Sequence, residues 1–261
     1  MQIRDYVRAQ SLDEAYELLL AKKNNRILGG CTYFNMTHPK IGTGIDLQDL
    51  GLDYIKEDGN DIAIGAYTSL REIETSDIIA GAFGTMFKDV LVHLIGVQLR
   101  NTITIGGHVS SRFGFSDIIP TLISLDASVV FFKAGEIKLV DYMKEEKPYR
   151  DILTEIRIPN NGRKGLVQMM RTSFNDYSIF CLAMTRKDND WKVVAGVLPG
   201  RAKCAWEVMD KMSEGVAKED AEKWADQIAD YFKFGSNTRG SAEYRKDLCR
   251  VFARRGIEVL A

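Results

Sequence analysis

The chain has 261 residues, 45% of them hydrophobic and 27% charged, with a net charge of -1 and a pI near 6.3. That length fits one subdivided domain or two, and the composition is that of an ordinary globular protein. The near-neutral charge offers no basic field for nucleic acid or an anionic membrane surface, and no apolar run is long enough to span a bilayer.

In chain order, "RDYVRA" is strand-like. Ser11 then caps a helix, with Glu14 three residues on as a capping box and Leu12, Ala15, Tyr16 and Leu19 on one face. Arg26 to Leu28 is a short strand entering the pair Gly29-Gly30, and another strand begins near Ile45. Two alternating runs around Asp58-Gly59 predict a hairpin. Helices are expected over Thr68–Thr75, with Thr68 or Ser69 as cap, and over Met86–Ile95. The β-branched run Thr102, Ile103, Thr104, Ile105 predicts a strand stopping at a second pair, Gly106-Gly107. Ser116 or Asp117 then caps a helix through "IIPTLISLDA", with Pro120 tolerated in its first turn.

The hairpin "SVVFFKAGEIKLV" and the strand "ILTEIRIP" lead to a loop at Pro159–Gly162, where a boundary is placed. Beyond it come a strand over Gly165–Thr172, the strand "YSIFCLAMTR", a turn at Asp188–Asp190 and the strand "WKVVAGVL". Three helices follow, near Ala205–Met212, Lys218–Tyr231 and from Ser241 onward. The order is α+β, without the regular alternation of a doubly wound sheet.

Each Gly-Gly pair permits close backbone approach, and successive N–H groups in such a turn form an anion-binding nest. Two nests suit two adjacent phosphates, with Thr32, Thr104, Ser110 and Ser111 as hydroxyl donors and Asp117 as acceptor for a sugar hydroxyl. No G-x-G-x-x-G fingerprint, Walker-type phosphate loop or nucleophile motif is present. The four cysteines and three histidines are dispersed, which argues against a local metal or iron–sulfur motif and for reduced thiols in a cytoplasmic protein.

"RILGGCTYFNM" and "LRNTITIGGHVSSRFGFSDIIPTLISLDASV" resemble the two flavin-binding loops of the FAD subunits of molybdenum hydroxylases, the family of the xanthine, carbon monoxide and nicotinate dehydrogenase medium subunits. The second loop matches at Arg100, Asn101, Thr104, Ile105, Gly106, Gly107, Ser111, Asp117 and Pro120. The tail "RGSAEYRKDLCRVFARRGI" resembles the family's C-terminal domain. "IDLQDLGLDYI" and the short length resemble a branch accompanying selenium-dependent purine or xanthine hydroxylases.

The resemblance implies a two-subdomain FAD-binding fold (1–52 and 53–160) and an α+β C-terminal domain over 161–261. It implies that Leu28, Gly29, Gly30, Cys31, Thr32 and Tyr33 wrap the pyrophosphate, and that Thr104 bonds a phosphate. Gly106, Gly107 and His108 would line the same region, Asp117 would bind the adenosine ribose, and Leu153 would pack near the adenine or flavin. It further implies an iron–sulfur subunit and a molybdopterin subunit as partners, with electrons passing through FAD to NAD or another acceptor. Cys31-Thr32-Tyr33, His108 and Ser111-Arg112 depart from the usual pattern, and Arg171 is the candidate for the basic residue beyond the boundary. The rival expectations are a free-standing flavoenzyme and a scaffold subunit without flavin.

Overall fold

A computed structural model describes residues 1–261. The elements run β1 (Gln2–Arg8), α1 (Leu12–Ala21), β2 (Arg26–Leu28), α2 (Thr32–Thr37), β3 (Lys40–Asp46), β4 (Ile55–Asp58), β5 (Asp61–Gly65), α3 (Leu70–Thr75), α4 (Asp77–Phe83), α5 (Met86–Leu91), α6 (Val97–Arg100) and α7 (Ile105–Ser110). They continue through α8 (Ile118–Ser124), β6 (Ser128–Phe131), β7 (Gly135–Lys138), α9 (Leu139–Lys144) and β8 (Leu153–Pro159). The last group is β9 (Lys164–Arg171), β10 (Ser178–Lys187), β11 (Asp190–Gly196), β12 (Lys203–Cys204), α10 (Trp206–Met212), α11 (Ala221–Tyr231) and α12 (Ala242–Leu260). No helix is long and apolar enough to cross a membrane.

The chain forms two units. One comprises residues 1–78, 96–111 and 127–159; the other comprises 79–95, 112–126 and 160–261. Two segments that sequence alone places before the boundary therefore belong to the second unit.

The first unit holds two sheets. Parallel β1 and β2 flank β3 in a three-stranded sheet. Ala15 and Leu19 of α1 join Ala9, Ile45, Leu47, Leu52 and Ile152 in a buried cluster. Ser11 caps α1 by accepting from the Glu14 amide at 3.1 Å. The box closes one residue early, since the Glu14 carboxylate accepts from Gln10 N at 2.7 Å rather than from Ser11. A full reciprocal box forms instead at Ser69 and Glu72, at the head of α3. The second sheet is antiparallel, in the order β4-β5-β8-β6-β7.

The expected strand at Thr102–Ile105 does not form. Only an isolated bridge joins Thr104 to Ser69, and Ile105 already opens α7, so Gly106 and Gly107 are helical. Helix α2 was not legible in sequence: none of its residues is buried, so it carries no amphipathic pattern.

In the second unit β12-β11-β10-β9 form an antiparallel sheet. Helix α8 packs on β10 and β11, and all seven of its residues are buried. Its amide Ile119 N bonds the Ser116 hydroxyl at 3.0 Å, so Ser116, and not Asp117, caps it. The close fit shows at Gly196, where a Cβ would lie 2.6 Å from Pro120. Helix α5 ends at Leu91, four residues short of the expected length, and Ile95 takes a φ of 49°.

The tail motif explains itself here. Arg245 of α12 is fully buried. It donates to the carbonyls of Ile179 (2.8 Å), Gly235 (2.6 Å) and Gly240 (2.6 Å), and to Asn237 Oδ1 (2.6 Å). One guanidinium thus satisfies four acceptors, the Ile179 carbonyl fully buried and the others partly so, and fixes the turn before the helix. Arg245→Leu would strand those acceptors, and we expect a loss of about 3 kcal/mol in unfolding free energy by urea titration, with Arg245→Lys losing less.

Candidate functional site: two glycine loops in contact

The C-terminal ends of a parallel sheet are where α/β proteins place ligands. In the first unit β2 ends there at buried Leu28 and runs into Gly29, Gly30 and Cys31. Gly30 (φ 67°) and Cys31 (φ 55°, ψ 6°) are both left-handed, and α2 follows at once. Left-handed backbone at two successive residues turns consecutive amides toward one side. The amides of Gly30, Cys31 and Thr32 make no hydrogen bond within the chain.

The second loop packs directly on the first. A Cβ on Gly29 would lie 2.7 Å from Thr104 Oγ1, one on Gly30 only 2.1 Å from the Thr102 carbonyl oxygen, and one on Gly107 2.9 Å from the Gly29 carbonyl oxygen. The two Gly-Gly pairs are therefore two halves of one construction.

The halves differ in chemistry. In the second loop Ile105 N donates to Thr68 O (2.9 Å), Gly106 N to Ala66 O (2.8 Å) and Gly107 N to Thr104 Oγ1 (3.2 Å). The expectation of two open nests is corrected: only the first turn presents unbonded amides. Gly106 is required by contact instead, since its Cβ would meet Ala66 at 2.6 Å. Thr104 is buried, and while its hydroxyl accepts from Gly107 it keeps its proton to donate.

The remaining candidates divide. Asn101 is an exposed residue at the end of α6, and Ser111 spends its hydroxyl on the Gly107 carbonyl at 2.7 Å. Leu153 is buried at the start of β8, and Tyr33 is exposed. Burial around the His108 ring lowers its pKa to about 4, so the ring is neutral near pH 7. Burial, and then the Asp46 charge, raise the Cys31 thiol, which makes it a poor nucleophile.

Asp117 is the most buried charged candidate, and its Oδ1 has no hydrogen-bond partner. It lies in the second unit, 1% exposed, and its Oδ2 accepts from Arg171 Nη2 (2.5 Å) and Ser178 Oγ (2.8 Å). Arg171 also donates to the Asp176 carbonyl at 2.5 Å. The geometry makes Asp117 the buried anchor that ties the head of α8 to β9 and β10.

Sequence reasoning missed three residues beside the first turn. Asp46, at the end of β3 and opposite Leu28 in register, accepts from the phenols of Tyr6 and Tyr67 at 2.5 Å each and from Gln48 N at 3.0 Å. Burial opposes its charge, but these hydrogen bonds outweigh burial and hold its pKa below the usual carboxylate range. The signal was the Ile-Asp-Leu at the strand end; the tyrosines come from distant segments. The second unit also carries an aromatic cluster, with Phe113 stacked on Phe115 at 4.7 Å, Phe115 edge-on to Tyr177 at 5.0 Å, and Arg239 over Tyr177 at 5.2 Å.

Residues 1–161 match the family model of the FAD binding domain in molybdopterin dehydrogenase, and 166–260 match the CO dehydrogenase flavoprotein C-terminal domain. The chain belongs to this FAD-binding family. It is 28% identical to the glyceraldehyde dehydrogenase medium chain of Sulfolobus acidocaldarius, over 98% of each chain. It is 26% identical to the carbon monoxide dehydrogenase medium chain of Afipia carboxidovorans, over 97% of this chain and 95% of that one. The fold superposes on a crystal structure of Cu,Mo-CO dehydrogenase with a TM-score of 0.87 and 23% identity, covering 98% of this chain and 96% of the other. As a member of the molybdenum hydroxylase flavoproteins, the chain is an FAD-binding oxidoreductase subunit. The first turn suits that cofactor's phosphates in its chemistry: the amides of Gly30, Cys31 and Thr32 are unbonded, and the Thr104 hydroxyl packed beside Gly29 keeps its proton to donate.

Two outcomes follow. Gly30→Ala forces a left-handed alanine against the Thr102 carbonyl; we expect a loss of about 2 kcal/mol in stability and a weakened FAD affinity by fluorescence titration. For His108 the folded pKa of about 4 lies below the ordinary 6.5. The unfolded chain then binds more protons between those values, so stability is lost as pH falls from about 6.5 toward 4. His108→Asn removes that slope in melting temperature measured across this window.

Proposed function

We propose that this chain is the electron-transfer subunit of a multi-subunit, xanthine dehydrogenase-like molybdenum hydroxylase. Substrate is hydroxylated on a molybdopterin subunit, and an iron–sulfur subunit connects that centre to this chain. FAD, when bound, supplies the redox chemistry that joins such one-electron donors to NAD or another acceptor. The observation that carries the reading is the contact of the two glycine loops, in a chain that aligns end to end with medium chains of this family. The finer purine or xanthine assignment is supported by the short chain and by "IDLQDLGLDYI" after the first loop.

The chain's own residues bind and orient. The amides of Gly30, Cys31 and Thr32 hold the pyrophosphate, with Thr104 donating its hydroxyl. Leu28 and Leu153 provide apolar wall. Neutral His108 adds no charge to the site. Asp46 stands close by, but two phenols and a backbone amide satisfy its carboxylate, which limits its repulsion of a phosphate. No side-chain acid or base is required from this chain.

Protein purified from its native host should be yellow, release FAD on denaturation, and carry iron and molybdenum through its co-purifying subunits. Thr104→Val should lower FAD affinity about tenfold, the worth of one charge-assisted hydrogen bond. A colourless protein that titration with FAD leaves colourless defeats the flavin assignment. A lone chain that turns over substrate unaided establishes the free-standing flavoenzyme instead.

A further inference from the structure

The second unit carries a cavity of about 520 Å³ that the flavin assignment leaves unused. It lies where β9 begins, β10 ends and α12 ends, and its walls include Lys164, Arg186, Lys187, Asp188, Val259 and Leu260. Three cations face one carboxylate there, in a chain whose net charge is -1.

Lys164 and Arg186 are direct cross-strand partners on β9 and β10, and like charges in that position destabilise a sheet. The acid that the neighbouring hairpin offers, Asp190, is already committed to Arg163 and Lys192. Arg186 is held rigidly: Nη1 donates to the Leu260 carbonyl and Nε to the Asp188 carbonyl, both at 2.6 Å, and its guanidinium lies 5.2 Å from the Trp191 ring. It thereby covers the last helical carbonyls, which would otherwise weaken an anion's binding. Lys164 and Lys187 are exposed and in no salt bridge, with their ammonium groups available. Beside them Val259 is 72% exposed, the most exposed large hydrophobic side chain in the protein.

We propose that this groove is a docking surface for an acidic segment of another subunit of the complex, its carboxylates on Lys164 and Lys187 and its aliphatic side chains on Val259 and Leu260. The inference rests on the multi-subunit reading above. Charge complementarity selects the occupant: two mobile cations on a rigid third, next to exposed aliphatic surface, match a stretch alternating carboxylate and aliphatic side chains.

The test uses the tagged full-length chain in its native host, reading iron and molybdenum per FAD in the purified complex. The double variant Lys164→Glu/Lys187→Glu should lower both ratios about tenfold at roughly 150 mM salt, with FAD per chain unchanged and a melting temperature at or above that of the wild type, because the carboxylate introduced on β9 would pair with Arg186 across the strands. Lys164→Gln/Lys187→Gln should give an intermediate loss and decides the matter if the reversal fails to fold. A photo-crosslinker on Lys187→Cys should capture a partner peptide containing Asp or Glu. If the wild type carries iron and molybdenum and both variants retain them, the groove is not the docking surface. If the wild type itself carries neither metal, the multi-subunit reading fails and this inference fails with it. Binding of inorganic phosphate that depends on the two lysines, in a complex they do not otherwise affect, assigns the groove to a small anion and overturns the proposal.

Discussion

Backbone meeting backbone, with no Cβ between, is the constraint on which the first unit is built. Gly29 and Gly30 approach Thr102, Thr104 and Gly107 so closely that a methyl group on either side would collide with a carbonyl or hydroxyl oxygen. That contact fixes the first turn's left-handed backbone and leaves its amides facing outward. It also joins the two sheets of the first unit: Thr104 and Gly107 meet the turn that ends β2 of the parallel sheet, while the amides of Ile105 and Gly106 bond the segment after β5 of the antiparallel one. The first glycine turn and the fold are therefore one structure.

Much of this was legible in sequence, for stated reasons. Hairpins with alternating strands and an Asp-Gly turn declare themselves because their pattern and turn chemistry are local. The Gly-Gly pairs were visible as places needing unusual backbone. Their roles were not, because whether a glycine amide is open or bonded depends on residues elsewhere, here Ala66 and Thr68. The run Thr102–Ile105 has strand propensity, yet tertiary contact overrides it: Thr104 becomes a helix cap. Asp46 escaped notice because a lone carboxylate at a strand end has no motif, and Tyr67 reaches it only through folding.

Asp117 shows the reverse case. Its position in a family motif made it a candidate for contact with the cofactor; the structure bonds its Oδ2 to Arg171 and Ser178 and leaves its Oδ1 without a partner. In sequence Arg171 was the candidate for the family's basic residue beyond the boundary. Paired with a buried carboxylate, it becomes part of the frame that holds α8, and Arg245 does the same for the turn before α12 without any carboxylate. In both, a charged side chain serves as interior scaffolding.

The route of the backbone has a consequence for how this protein can be divided. The second unit borrows residues 79–95 and 112–126 from the first half of the chain, including α8, which is buried along its whole length. A gene cut at residue 160 would separate the sheet of the second unit from the helix that covers β10 and β11. The linear halves that family models assign, 1–161 and 166–260, are accordingly not autonomous building blocks. Exchange of a C-terminal half between relatives transplants a surface evolved against the donor's own α8. The sheet of the second unit and the helix that covers it are thus encoded on opposite sides of residue 160.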